Sequence, residues 1–155
     1  MNTLGYLGLF GEAGNALGDA QWVAHANANL VPNLAALNTR FLDGSRVERT
    51  LRVGYEPGPT AMALRHVTGG AIAEMLDQAA THCALFVTGY PCPTVTLTVN
   101  YLRAGLTPTY TATARVLQVT SVTATVGAEL VDADGLAVAT VSLVGKFIKK
   151  LERLK

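Results

Sequence analysis

The chain has little charge of either sign. Acidic and basic residues make up only 15% of its 155 residues, and 12 Lys and Arg nearly balance 11 Asp and Glu. A net charge of +1 argues against the basic surface that nucleic-acid-binding proteins present, and against electrostatic attachment to anionic membranes. We therefore expect neither nucleic acid nor a membrane as a partner. Because 50% of the residues are hydrophobic, we expect part of the apolar surface to lie in a subunit interface.

Cysteine is also scarce, with Cys83 and Cys92 as the 2 copies. Neither has the spacing of a metal site or a redox pair, so we expect reduced thiols in the cytoplasm, with a bridge between them as the alternative. No grouping of His, Cys and acidic residues has metal-ligand spacing, and we expect neither a metal nor a cofactor. Residues 1–10 contain apolar side chains but no basic residue, which argues against a secretory signal.

What the sequence does contain is one long stretch, residues 68–87, that is apolar on almost every side. It has no proline, and helix-favouring residues run from Ala71 onward. A helix that is apolar on every face is buried. Glu74, Asp77 and His82 argue against a membrane span, because each is costly at bilayer depth. We predict a core helix about 30 Å long, which the rest of the chain must cover.

Strands are predicted around this helix from their alternating apolar side chains. They are expected at residues 46–55, 94–103, 109–119, 121–131 and 136–148, the last four as a meander with one tight hairpin. Upstream, the pattern predicts a loosely structured or short helical arm over residues 1–20 and an amphipathic helix over residues 27–41, stopped at Asp43-Gly44. Residues 60–67 are expected to be an irregular lead-in. The prediction is an α+β domain with a curved antiparallel sheet of five or six strands round one helix.

Three short motifs carry a family resemblance. Gly69-Gly70 opens the predicted helix, Leu76-Asp77 lies within it, and Val99-Asn-Tyr-Leu-Arg103 ends the next strand. In this order the chain resembles the hotdog-fold acyl-CoA thioesterases, above all the phenylacetic-acid-degradation and 4-hydroxybenzoyl-CoA type. The resemblance implies a hotdog domain over residues 45–148. An N-terminal arm with its amphipathic helix would occupy residues 1–44, and a basic tail residues 149–155.

The resemblance is incomplete at the positions that carry chemistry. The family has a histidine before its two glycines, where this chain has Thr68, and an asparagine six residues earlier, where it has Met62. The family acid is present as Asp77, and the family hydroxyl on the following strand matches Thr94. The strand motif ends at Arg103-Ala104, without the family's proline.

The matching residues suit the hydrolysis of a thioester. A helix N-terminus presents free N–H groups and a positive dipole end to a developing oxyanion, and Gly69 and Gly70 permit close approach. The alternative role of the two glycines is purely structural, since small residues allow the helix to begin beneath the sheet. Asp77 is the candidate base or nucleophile, and the sequence leaves both open. The sequence also leaves open a purely structural role for Asp77, as a buried, hydrogen-bonded carboxylate. Glu74, one turn earlier, is its competitor.

The spacing of these residues predicts that two subunits share the site. Gly69 and Asp77 are eight residues apart, about 12 Å along a helix, so they cannot reach the same carbonyl carbon. If both act, they come from two helices lying antiparallel across a two-fold axis. We therefore expect a homodimer, or a homotetramer built from two such pairs.

The remaining candidates have ordinary alternatives. Thr94 orients water or the acid in the resemblance, but a threonine on an alternating strand is also just a strand residue. His66 either replaces the missing family histidine or is an exposed loop residue, and His82 is expected to be a hydrogen-bonded helix histidine. Arg103 is expected near a CoA phosphate, although residues 119–122 lack the basic side chains that the family places there.

These observations predict a cytoplasmic acyl-CoA thioesterase, a thioester hydrolase whose substrate carries a medium-chain or aryl acyl group. Apolar walls are expected from residues 62–64 and the helix. Substrate contacts are expected from Met62, His66, Thr68, Glu74 and Arg103. One alternative is a hotdog protein that binds an acyl-CoA or another apolar ligand without efficient turnover. A second is a hydratase of the same fold. Such hydratases carry an Asp and a His a few residues apart on a loop and helix, and this pattern is not evident here.

Overall fold

A six-stranded antiparallel sheet curves round one long helix in the computed structural model, which describes residues 3–154. Met1, Asn2 and Lys155, the outermost residues of the predicted arm and tail, lie outside the described residues. The predicted α+β class and the hotdog architecture are confirmed. The helix is the core of the molecule, and the concave face of the sheet covers it.

The elements alternate in an order close to the predicted one. The helices are α1 (Thr3–Leu7), α2 (Gly11–Ala16), α3 (Asp19–Ala28), α4 (Pro32–Ala35) and α5 (Gly69–Thr88), with 3₁₀ turns at Pro59–Ala61 and Leu151–Leu154. The strands are β1 (Arg40–Ser45), β2 (Thr50–Tyr55), β3 (Met62–Ala63), β4 (His66–Val67), β5 (Thr94–Tyr101), β6 (Tyr110–Val119), β7 (Thr123–Asp132) and β8 (Ala137–Lys146). The large sheet has the order β1-β2-β6-β7-β8-β5, and β3 and β4 form a separate hairpin.

The central helix α5 has a defined start and stop. The Thr68 hydroxyl accepts a hydrogen bond from the Ala71 N–H at 3.2 Å, and Gly89 ends the helix with a φ of 78°, which glycine adopts without strain. Between them, the side chains of Met75, Leu76 and Phe86 have no exposed surface. Each such large apolar side chain contributes about 1.5–3 kcal/mol by its burial.

The helix predicted over residues 27–41 is wrong. Only Pro32–Ala35 of its interior is helical, and the chain is already in β1 from Arg40 onward. Asn38 has a φ of 48°, which breaks any helix at that point. The side chain of Asn27 instead binds both the N–H and the C=O of Phe41 at 2.8 Å, which secures the start of β1. The sheet thus begins before the expected domain start at residue 45, and Asp43-Gly44 lies within a strand.

The N-terminal segment is helical rather than loosely structured, so the short helical arm is the alternative that holds. Its helix α3 contributes the buried Trp22, whose ring meets Phe41 and Phe86 edge to face with centroids 5.7 and 5.0 Å apart. Such aromatic pairs add about 0.5–1.5 kcal/mol beyond their buried area. Leu9, within the arm itself, is fully buried in the same core, so the arm is part of the core as well.

Arg46 ties this arm to the C-terminal end of α5. Its Nε donates to the Phe86 carbonyl at 2.9 Å, and its guanidinium lies 4.6 Å from the centre of the Phe86 ring. The same guanidinium donates to the Leu17 and Gly14 carbonyls and pairs with Asp19 at 2.9 Å. One half-buried cation thus satisfies carbonyls from two separate helices.

Strand pairing also differs from the predicted meander. β6, β7 and β8 form a three-stranded meander, but β5 pairs with β8 at the edge of the sheet, and β6 pairs with β2. The strand predicted over residues 46–55 is shorter, because residues 46–49 turn and Arg49 has a φ of 57°. Residues 60–67, expected to be irregular, contain the β3–β4 hairpin. The alternation of side chains shows which face of a strand is buried, but it does not show which strand lies beside it, so the pairing could not be predicted in this way.

The cysteines are both buried and free, as expected. Burial raises the pKa of the Cys83 thiol to about 12, which leaves it unreactive at neutral pH. Among the described helices, none is both long enough and apolar enough to cross a membrane.

Gly145 on β8 determines the path of the chain into β5. A Cβ there would lie 2.5 Å from the Cys92 Sγ and 2.7 Å from the Cys92 carbonyl oxygen. The following residue, Lys146, donates its N–H to the Pro93 carbonyl at 3.0 Å. The lack of a side chain at Gly145 therefore lets residues 91–93 pack directly on the sheet.

We predict that Gly145→Ala lowers the free energy of unfolding by about 1–3 kcal/mol, because the added methyl meets backbone that cannot move away freely. Urea denaturation measures this change. The matched control is Gly127→Ala on the neighbouring strand, where the nearest atom is a flexible Leu117 side-chain carbon at 3.4 Å. Equal stability losses in both variants would contradict the proposed close packing.

Candidate active site

A cavity of about 240 Å³ opens beside the middle of α5. The helix contributes Asp77 and three side chains further along it, and residues 91–94 form a second wall. Tyr6 and Phe10 reach the cavity from the N-terminal segment. A concave, mostly apolar site with a few polar groups is the usual form of a small-molecule site.

Asp77 and Thr94 meet at this cavity. The Thr94 hydroxyl donates to the Asp77 Oδ1 at 2.5 Å, a short hydrogen bond of the kind that charged acceptors form. The cause is a β-bulge at Val95, which lies between Thr94, paired with Gly145, and Thr96, paired with Val144. Without the bulge, strict alternation would direct Thr94 away from the helix. Bulges often redirect a side chain next to a site.

The carboxyl group of Asp77 holds its proton more tightly than an exposed aspartate. Burial raises its pKa, the hydrogen bond from Thr94 lowers it, and the nearby charge of Glu74 raises it again. The net pKa is raised. A carboxylate in this state accepts a proton more readily, and such perturbed groups cluster at functional sites.

The start of α5 forms a second polar feature. The Thr68 hydroxyl and carbonyl bind the N–H groups of Ala71 and Ile72, and the N–H groups of Gly69 and Gly70 precede these bonded residues. A Cβ on Gly70 would meet no described atom within 4 Å. The helix start is therefore open to an approaching group.

The far end of the edge strand holds this helix start in place. The Tyr101 hydroxyl donates to the Gly69 carbonyl at 2.7 Å, and its ring would lie 3.4 Å from a Cβ on Gly69. β5 thus contacts α5 at both of its ends, through Thr94 at Asp77 and through Tyr101 at Gly69.

Glu74 lies apart from the cavity of Asp77. It is exposed, it accepts a hydrogen bond from the Gln78 amide at 2.8 Å, and it lines a shallower groove with Thr68 and Gly70. Its influence on Asp77 is electrostatic.

The other predicted binding residues are also spread over separate surfaces. Met62 lines an open groove of about 630 Å³ with Leu64 and Leu106, away from Asp77. His66 is exposed on β4, and Arg103 is exposed just after β5, where its N–H binds the Val138 carbonyl at 3.2 Å. None of the three lines the described cavity of Asp77.

Sequence reasoning missed Tyr6, Phe10 and the role of His82 as part of the cavity wall. His82 is buried, its Nδ1 lies 2.7 Å from the Gln78 carbonyl oxygen, and its Nε2 lies 2.8 Å from the Tyr6 hydroxyl. It is thus the hydrogen-bonded helix histidine that was expected. The contact with Tyr6 spans 76 residues of sequence, so no local pattern could have revealed it. Within residues 3–154, no group of three His, Cys, Asp or Glu side chains could hold a metal ion.

We predict that the pKa of Asp77 rises in Thr94→Val and falls in Glu74→Gln. The first change removes a hydrogen bond that stabilises the carboxylate, and the second removes a neighbouring negative charge. Carboxyl ¹³C NMR during a pH titration measures both shifts. The matched control is Thr98→Val, an exposed threonine further along β5, which should leave this pKa unchanged. A pKa that stays constant in both test variants would contradict the described contacts.

The comparisons with known proteins agree with this geometry. Residues 64–139 match the model of the thioesterase superfamily. A search of curated protein sequences finds no significant match. Among solved structures, the PaaI protein from the phenylacetic acid degradation operon of E. coli has a TM-score of 0.72 at 22% identity, over 81% of this chain and 91% of that one.

Two further structures extend the likeness. The phenylacetic acid degradation-related protein of Ralstonia eutropha JMP134 has a TM-score of 0.70 at 22% identity, over 76% of this chain and 92% of that one. A Streptococcus mutans UA159 protein bound to acetyl-CoA has a TM-score of 0.65 at 18% identity, over 72% of this chain and 89% of that one. At these identities the structures establish the shared fold.

The family match covers α5 and most of the sheet, and it supports the predicted thioester hydrolase. The predicted hotdog fold is confirmed, and the family match agrees with the predicted resemblance to thioesterases. The segment that matches the thioesterase superfamily, residues 64–139, contains both Asp77 and the glycines of the helix start.

Proposed function

We propose that this protein hydrolyses acyl-CoA thioesters as a homodimer, with each site built from two subunits. The observation that carries this proposal is the arrangement of polar groups along the edge strand β5. At its first residue, Thr94 binds Asp77, and at its last, Tyr101 binds the helix start at Gly69. The candidate base and the candidate oxyanion site thus lie near opposite ends of one exposed strand.

The edge strand is suited to pair with a second copy. β5 pairs with β8 on one side only, and Val95 and Tyr101 remain 61% and 53% exposed. An open strand edge with exposed apolar side chains favours the addition of another strand. Leu102, directly after it, is also exposed. We infer that two β5 strands pair antiparallel across a two-fold axis and continue the sheet.

Within one subunit, Asp77 and the Gly69–Gly70 helix start lie too far apart to act on the same carbonyl group, and antiparallel pairing of two β5 strands would remove this separation. It brings the Thr94 end of one strand beside the Tyr101 end of the other, so Asp77 of one subunit approaches the Gly69–Gly70 helix start of its partner. In one subunit, these groups are about 12 Å apart along the helix. The dimer is therefore a requirement of the proposed chemistry.

In the proposed reaction, the helix start and the Asp77 carboxylate have different roles. The N–H groups at the partner's helix start bind the thioester carbonyl oxygen as it gains negative charge. Asp77 either takes a proton from the attacking water or attacks the carbonyl carbon itself, and both routes remain open. The carbon–sulfur bond then breaks, and the CoA sulfur leaves as a thiolate that takes up a proton. On the nucleophilic route, the acyl group is then held by Asp77 as an anhydride, and water cleaves it to release the free acid and restore the carboxylate. Thr94 orients the carboxylate.

Two structural neighbours support acyl-CoA as the ligand class. One, from Streptococcus mutans, is bound to acetyl-CoA, and another, from Streptococcus pneumoniae TIGR4, contains coenzyme A. Arg103, exposed after β5, remains our candidate for a CoA phosphate contact. We also retain the cytoplasm as the proposed location, because Cys83 and Cys92 are free thiols.

One observation favours the alternative of a binding protein with little turnover. Thr68, which stands where the family has histidine, spends its hydroxyl on capping the helix. Met62, which stands where the family has asparagine, packs against the hydrophobic core. If a polar group at either position is needed for hydrolysis, this chain would bind acyl-CoA without cleaving it.

We predict that Asp77→Asn reduces kcat at least about 100-fold, the lower range for removal of a general base. The asparagine keeps an oxygen that can accept the Thr94 hydrogen bond. Because burial disfavours the carboxylate, the same variant should also unfold at a higher temperature at pH 7. This gain should disappear as the pH falls below the ordinary pKa of aspartate, since Asp77 is then protonated in both states.

Thiol release from an acyl-CoA panel measures this loss, and Asp134→Asn, at an exposed turn, is the matched control. Tight binding of acyl-CoA without thiol release by the unaltered protein would favour the binding alternative.

A mixing experiment tests whether two subunits share each site. Asp77→Asn and Gly70→Val should each be inactive as homodimers, the second because its side chain blocks the open helix start. Refolding an equal mixture should restore about a quarter of the original activity, because half the dimers are mixed and each has one intact site. If the mixture stays inactive while mixed dimers form, each site lies within one subunit.

A further inference from the structure

We propose that Tyr6 and Phe10 are specificity-determining residues that close the acyl end of the cavity and limit its occupant to an aryl or short acyl group. This inference rests on the proposed thioesterase function and names the substrate class for the same site. Both residues lie outside the 64–139 segment that matches the thioesterase superfamily.

The cavity extends from the reacting group in a direction suited to an acyl chain. Along α5 it runs from Asp77 to Leu85, eight residues or about 12 Å toward the C-terminal end of the helix. The glycine helix start lies in the other direction. Leu85, Pro91 and Pro93 are apolar parts of its wall. The polar atoms of Tyr6, Thr81 and His82 are hydrogen-bonded within the protein. An acyl group whose carbonyl lies at Asp77 would therefore point toward this end.

Tyr6 is fixed in place by His82. The His82 Nδ1 faces the Gln78 carbonyl, which only accepts, so this nitrogen carries the proton. Burial lowers the pKa of His82 and keeps the ring neutral, so Nε2 accepts the hydrogen bond that the Tyr6 hydroxyl donates at 2.8 Å. Burial raises the pKa of Tyr6 to about 12, so the hydroxyl keeps its proton.

Phe10 completes this wall. Its ring meets the Tyr6 ring edge to face, with centroids 5.4 Å apart. The next residue, Gly11, donates its N–H to the Gly89 carbonyl at 2.7 Å, which joins the start of α2 to the end of α5. The wall is thus anchored on both sides, by the Tyr6–His82 hydrogen bond and by the Gly11–Gly89 hydrogen bond.

The size of the cavity limits what it can hold. An apolar cavity of about 150 Å³ is large enough for benzene. The cavity of about 240 Å³ leaves room for one ring and a few additional atoms, with Asp77 and Thr94 at one side. A long straight chain would have to displace Tyr6 or Phe10. Of the two acyl classes that the sequence predicts, the geometry thus favours the aryl class.

The test compares phenylacetyl-CoA with decanoyl-CoA. For Phe10→Ala, we expect the ratio of kcat/KM for decanoyl-CoA to that for phenylacetyl-CoA to rise at least about 10-fold, mostly through KM, because one altered pocket contact changes discrimination by this order. Tyr6→Phe keeps the ring but loses the hydrogen bond to His82, and it should shift the ratio in the same direction by less.

The matched control is Tyr90→Ala, an aromatic residue that packs on Phe147 rather than in the cavity, and it should leave the ratio unchanged. Thermal unfolding verifies that each variant folds. If Phe10→Ala does not fold, Phe10→Leu replaces it, with a smaller shift expected in the same direction. Equal changes for both substrates in the folded variants would overturn the inference and leave the thioesterase function intact.

Binding separates this inference from the proposed hydrolysis. Calorimetry measures the Kd of both acyl-CoAs in an Asp77→Asn background, with and without Phe10→Ala. If the unaltered protein releases no thiol but Phe10→Ala still improves decanoyl-CoA binding relative to phenylacetyl-CoA, the hydrolytic function fails and the acyl cavity stands. If the unaltered protein releases no thiol and Phe10→Ala does not change the relative binding of the two acyl-CoAs, both proposals are wrong.

Discussion

The burial of α5 is the constraint on which the rest of the molecule depends. A helix surrounded by sheet and N-terminal helices has no water for its polar side chains, so each needs a partner. Gln78 binds Glu74 and the Asn33 carbonyl, and His82 lies between a carbonyl and Tyr6. Asp77 is only half-buried, and Thr94 is the partner of its carboxylate among the described residues. Its remaining hydrogen-bonding capacity faces the cavity, which is why chemistry is expected there.

Much of this architecture could be read from the sequence, because its strongest patterns are also its most buried elements. The central helix is predicted at residues 68–87 and runs from Gly69 to Thr88, and strands β5–β8 lie close to their predicted ranges. The N-terminal third was harder. Leu34 and Leu37 are buried as a helical pattern requires, but they pack from short turns rather than from one helix. Apolar spacing reports which side chains are inside, and several backbone paths can satisfy it.

The site was only partly predictable. The family resemblance identified Asp77 and Thr94, and the structure brings them together. The bulge that makes this contact is not visible in the sequence, where Thr94 belongs to the polar face by simple alternation. Tyr6 and Phe10 could not be found either, because their contacts with α5 join distant parts of the chain. Met62, His66 and Arg103 lie on other surfaces, and their proposed substrate contacts would need a partner subunit or a bound ligand.

The bulge at Val95 also separates the evolution of the two tasks that we propose for this strand, pairing with a second subunit and contacting Asp77. Because the extra residue resets the alternation, Thr94 faces the helix independently of how residues 96–101 are arranged on the sheet edge. Substitutions in the second part of the strand can therefore change the proposed subunit association without moving the hydroxyl at Asp77. If the bulge closed and Val95 took the place opposite Gly145, by contrast, alternation would turn that hydroxyl outward while the fold survived. Assembly can drift gradually here, whereas the carboxylate's orientation is kept or lost in one step.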